Sequence, residues 1–179
     1  MYQQGLYIYE ETLQHHAYVL LSQLLAMHEF ENLAYYPGCA DVVSALMGVG
    51  EPELNRNIMS LAALSRANDD ARGGLAIHLE QAPKGVGVIT KNGGGDEVLS
   101  AREACNKIIH NTAVKLEFEA TTEHPLYADA YKLNSIEDNK EYRVPFLILS
   151  GKAQGVNGKE WLARINMIQW IFAVANFGA

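Results

Sequence analysis

Arg102, Asn106 and His110 stand four residues apart in the segment Leu99–His110. On a helix these positions fall within an arc of about 80°. The residue types suit phosphate chemistry. A guanidinium offers a planar fork of donors, an imidazole titrates near neutrality, and an amide can position a third group. Val98, Ala101, Cys105, Ile108 and Ile109 supply an apolar face, and Glu103 and Lys107 point to water. The Arg-Asn-His stripe therefore runs along the boundary, where a polar group is half desolvated yet reachable. A structural account of the same residues stands beside this one. Asn106 and His110 at a helix end can cap backbone groups, the helix dipole favours His there, and His110 can bond a carbonyl of the next strand.

At these residues the chain resembles the HEPN superfamily, whose members carry an Arg followed a few residues later by a His on one helix. Some relatives end in Asn-x-x-x-His, like Asn106 to His110. The resemblance implies a metal-independent ribonuclease, or an RNA or nucleotide-phosphate binder, of toxin or defence type. It implies His110 as general acid or base, Arg102 as stabiliser of phosphate charge and Asn106 as a polar positioner, with paired subunits meeting at a cleft. It also implies an all-α fold, whereas the residues themselves predict strands on both sides of the motif. The function of the other class is a non-catalytic interaction or assembly protein in which Arg102, Asn106 and His110 serve structure alone.

Other chemistry finds less support. His15, His16, His28, His78 and His124 form neither H-x-x-x-H nor H-E-x-x-H, so no metal is expected. Gly85-x-Gly87 and Gly93-Gly94-Gly95 lack both dinucleotide and P-loop spacing, and a hairpin is the simpler reading, so no cofactor is expected. Ser100 and Ser150 lack a nucleophile elbow. Tyr2, Tyr7, Tyr9, Tyr35 and Tyr36 cluster around the first helix and read as core-edge tyrosines.

The elements that must position the motif follow from periodicity. Leu13, Ala17, Leu20, Leu24 and Met27 predict one long amphipathic helix over Glu10–Tyr36, ended by Pro37-Gly38. A short helix is predicted from Asp41 to Met47, stopped by Gly48 and Gly50. Another begins near Pro52 and breaks at Asn68-Asp69-Asp70. Ala71–Ala82 is ambiguous. Gly85–Thr90 reads as a strand and Lys91–Asp96 as a turn. Ser100-Ala101-Arg102-Glu103 is a capping-box pattern opening a helix to about His110. Val114, Leu116 and Phe118 alternate with Lys115, Glu117 and Glu119, the mark of a half-buried antiparallel strand. Thr121–Lys140 is a long polar connection, a possible lid. Arg143–Ser150 is an apolar strand whose Pro145 argues for an edge or a bulge.

Lys159–Phe177 reads as a last helix, apolar on nearly every face. Two homes suit such a helix: the centre of the domain, or an interface in a two-fold homodimer. The whole is a single domain over 1–179 of α+β class, mostly helical with a small antiparallel sheet and a buried C-terminal helix. Its helical region spans about 9–82, and the sheet, motif helix and last helix about 85–177.

Composition bounds the rest. A net charge of −7 opposes non-specific binding to phosphate backbones, so an RNA partner would need a local positive site. Cys39 and Cys105 are far apart and outside any C-x-x-C pair. With no secretory leader and no membrane span expected, the reading is a cytoplasmic protein with reduced thiols.

Overall fold

The computed structural model of the chain describes residues 10–72, 85–122, 142–152, 158 and 160–175. Its order is α1 (Glu10–Ala34), α2 (Ala40–Arg72), β1 (Gly87–Lys91), β2 (Asp96–Leu99), α3 (Ala101–Ile109), β3 (Ala113–Thr121), β4 (Tyr142–Lys152), β5 (Glu160–Asn166) and α4 (Met167–Ala175). The expected α+β class is what the structure has. The five strands form one antiparallel sheet in the order β2-β1-β5-β4-β3.

α1 forms as its apolar spacing predicts, burying Leu13, Ala17, Leu20 and Leu24. The chain turns after it at Gly38, whose φ of +84° suits glycine alone. α2 departs from expectation. It is one helix of 33 residues, about 50 Å long, and neither Gly48, Gly50, Pro52 nor Asn68-Asp69-Asp70 interrupts it. The physical reason is a continuous stripe, Val43-Met47-Gly50-Leu54-Ile58-Leu61, whose spacing stays in register across Pro52 and packs on α1. That packing outweighs the roughly 3 kcal/mol that an interior proline costs. The ring of Pro52 crowds the carbonyl four residues earlier, and that residue is Gly48, the easiest to tilt aside.

β1 and β2 form a hairpin. Asn92 and Gly93 carry the positive φ values of a primed turn, and the Gly94 amide donates to the Lys91 carbonyl at 2.9 Å. Gly87 is required by close approach, because a Cβ there would lie 2.1 Å from the Arg164 carbonyl oxygen of β5. β3 forms as the expected antiparallel strand, but its burial does not alternate, Glu117 being as half-buried as Leu116 and Phe118. As an edge strand it leaves Leu116 and Phe118 only half-buried and Val114 exposed. Pro145 sits opposite Phe118 of β3, one residue before the pairing of β4 with β5 begins at Phe146. β4 is an inner strand, but at Pro145 it has a neighbour on one side only.

The C-terminal prediction is corrected. Residues 160–166 are strand β5, and among the described residues α4 spans Met167–Ala175. Trp161, Ala163 and Ile165 are buried, alternating with the more exposed Leu162, Arg164 and Asn166. A strand run directly into an apolar helix looks apolar all round when read as one helix. The Asn166 side chain accepts from the Gln169 amide at 3.1 Å and so starts α4. Met167, Ile168, Trp170, Ile171 and Val174 of α4 are buried within this chain against α1, α3 and β4.

The helices cover one face of the sheet, and a single core joins the two layers through Leu20, Leu61, Cys105, Leu149, Ile165 and Trp170. On the other face Arg164 lies over the Phe146 ring, 3.5 Å from its centroid, and pairs with Glu119. No helix among the described residues is long and apolar enough to cross a membrane. The long connection after Thr121 lies outside the described residues from position 123, as do most of Ala71–Ala82, the tyrosines at 2, 7 and 9, the segment 153–157 and the residues after Ala175.

Candidate functional site

The motif helix α3 begins where Ser100 predicts. Its hydroxyl accepts from the Glu103 amide at 3.2 Å. Only this half of the capping box forms, because the Glu103 carboxylate turns along the helix to Lys107 at 3.0 Å and Asn106 at 3.4 Å. Ala101, Ala104, Cys105 and Ile108 are buried, while Val98, on β2, is exposed rather than part of the apolar face. Lys107 does not simply face water. Its ammonium lies 4.6 Å from the centre of the Trp161 ring.

Arg102 lies half-buried against α2. Its guanidinium pairs with Asp69 and, at 3.0 Å, with Asp70. Arg66 reaches the same carboxylates, at 3.3 Å and 3.0 Å. Two cations and two anions thus bridge α2 and α3, with the Asp69 side chain entirely buried. Burial first, and the charge of Arg66 second, pull the Arg102 guanidinium below its ordinary value. It remains a cation, as Arg always does in proteins. The fork is engaged by carboxylates of α2.

Asn106 is half-buried and donates to Glu103. His110 closes the helix through its backbone, its amide donating to the Asn106 carbonyl at 3.0 Å, while its side chain is exposed. The carbonyl-capping role foreseen for His110 is taken by Asn111, whose side-chain amide donates to the Ile108 carbonyl at 2.6 Å. Arg102 and His110 are separated by about 12 Å of helix rise. The two positions are therefore more than two helical turns apart. Four cavities of about 310–860 Å³ among the described residues are lined by other side chains than Arg102, Asn106 and His110.

Sequence reasoning missed the partners of Arg102. Asn68-Asp69-Asp70 reads as a helix breaker, yet Ser65, Asn68 and Asp69 are buried on the α2 face. The available signal was Arg66 set three and four residues before Asp69 and Asp70, the spacing of intrahelical ion pairs. Three polar atoms there, Ser65 Oγ, Asn68 Nδ2 and Asp69 Oδ1, are buried and have no hydrogen-bond partner among the described residues. Beside them the Cys105 thiol is pushed up to about 11, chiefly by burial. The Trp170 indole N–H lies close enough to oppose that rise, though it meets no hydrogen-bond acceptor in good geometry among the described residues.

Among the described residues no three His, Cys, Asp or Glu side chains are grouped to hold a metal ion. The side chains of His28, His78 and His124 lie outside the description. Comparison with known proteins found no matching family model, no matching curated protein and no matching solved structure.

Proposed function

We propose that the chain is a non-catalytic interaction or assembly protein in which the Arg102 and Asn106 side chains serve structure and the exposed His110 side chain takes no part in chemistry. The observation that carries this reading is the engagement of Arg102 by Asp69 and Asp70. A guanidinium already neutralised by two carboxylates has little left for a phosphate, and Asn106 is likewise bonded within its own helix. The cytoplasmic placement expected from two separate thiols belongs to the same proposal.

The HEPN-like ribonuclease is the second reading. In its favour is the exposed imidazole of His110 at the end of α3. It requires a homodimer that brings a second Arg and His to that imidazole, and RNA as partner despite the charge of −7. The expected dimer through the C-terminal helix would bury Phe172, which is 40% exposed.

A ribonuclease assay on single-stranded RNA separates the two. The wild-type chain and His110→Ala are expected to be equally inactive, with melting temperatures within about 2 °C, as suits an exposed side chain. Cleavage by wild type that His110→Ala abolishes, at unchanged melting temperature, would overturn the non-catalytic reading.

A further inference from the structure

The charge of the chain is one-sided. All 14 Lys and Arg lie at Arg56 or beyond, whereas seven of the 21 Asp and Glu precede it. The whole −7 therefore belongs to the first 55 residues, which from Glu10 onward are α1, the turn after it and the first half of α2.

Toward the turn, the facing sides of these two helices do not close. A groove of about 310 Å³ runs between them, floored by Met27, Phe30, Met47 and Leu54 and edged by Leu46. A second hollow of about 380 Å³ shares Met27, Met47 and Leu54 and carries the apolar track onto β3. Glu51 lines both hollows and Glu31 the second. Arg56, the first cation in the sequence, is paired with Glu53 at 2.8 Å. A Cβ added to Gly50 would meet nothing within 4 Å, so the groove is open down to the α2 main chain there. Methionines make such a floor adaptable to a partner's side chains.

We propose that this groove receives a basic amphipathic helix of a partner protein. Its apolar face would lie on Met27, Met47 and Leu54, and its Lys and Arg beside Glu31 and Glu51. An apolar trough between helices suits anchors at i, i+3, i+4 and i+7. The acidic surround selects a cationic partner and repels the acidic hairpin of a second copy. The same field opposes RNA at this surface. The proposal deepens the interaction reading but uses none of Arg102, Asn106 or His110. A chain that cleaves RNA and also binds the peptide below would end that reading and leave this one.

The test is fluorescence anisotropy on the full chain with a labelled peptide of about 18 residues, long enough to fold as a helix on binding. It is built of Leu and Lys with Leu at the anchor positions. A scrambled peptide of the same composition and a Leu/Glu peptide of the same pattern are the controls. The expected result is saturable binding of the first peptide, about tenfold or more tighter than either control. Glu31→Lys/Glu51→Lys, with its fold checked by circular dichroism, should weaken it by about tenfold or more. If that reversal unfolds the chain, Glu31→Gln/Glu51→Gln replaces it, with a smaller loss expected. Equal binding of the scrambled peptide, absence of saturation, or unchanged affinity in a folded variant would overturn the proposal. Sedimentation velocity of the free chain covers the remaining occupant. A monomer at the groove is expected, and a dimer lost in Leu46→Asp would give the groove to a second copy and overturn the proposal.

Discussion

Arg102 and Cys105 sit one turn apart on α3 and meet opposite fates. The guanidinium stays charged, as Arg does in proteins, with Asp69 and Asp70 facing it, whereas the thiol stays neutral because burial leaves the thiolate unsolvated. A thiol raised in the folded state holds its proton longer than in the unfolded chain. Its contribution is therefore complete below the unfolded value of about 9 and is lost as pH rises from there through about 11. Urea unfolding should accordingly show stability falling over that alkaline window by less in Cys105→Ala than in wild type. An identical alkaline slope in the two proteins would contradict the account. The identity and spacing of Arg102, Asn106 and His110 on one helix were readable in the sequence, and so was the Ser100 cap. What occupies the guanidinium was not, because Asp69 and Asp70 lie 32 and more residues away and their own neighbourhood resembles a stop signal.

Among the elements, α1, α3 and β3 were readable because each carries one dominant periodicity. α2 was not, because Gly48, Gly50 and Pro52 are strong local signals that a long-range stripe overrides. β5 and α4 merged for the opposite reason. Both are rich in apolar residues, and only the change from alternation to helical spacing at Asn166 separates them. The reading of α2 as one helix has a direct consequence. Pro52 is exposed, and replacing it by Ala restores an amide that can donate to the Gly48 carbonyl. Pro52→Ala should therefore stabilise the chain by about 1–2 kcal/mol, the helix gain of roughly 3 kcal/mol being partly offset by the freer unfolded chain. Thermal unfolding checks it. A lowered melting temperature would mean that the proline marks a real break, as its position first suggests.

Across the whole molecule, two halves of different character are joined. The acidic helical hairpin lends its apolar stripe to the core, and the sheet with α3 and α4 supplies the rest. The ion pairs between Arg102 of α3 and Asp69 and Asp70 of α2 tie one half to the other. The α+β class and the sheet's antiparallel hand followed from local patterns. The strand order and the packing of α2 on α3 did not, since they depend on residues far apart in sequence. The central claim is that Arg102 acts as this tie, and a double-mutant cycle in urea tests it most directly, with Arg102→Met, Asp69→Asn and the pair. Arg102→Met alone should cost about 2 kcal/mol, because Arg66 still faces the buried carboxylate, and the two changes should be coupled by about 1 kcal/mol or more. Additive changes within about 0.3 kcal/mol, with Arg102→Met as stable as wild type, would contradict it.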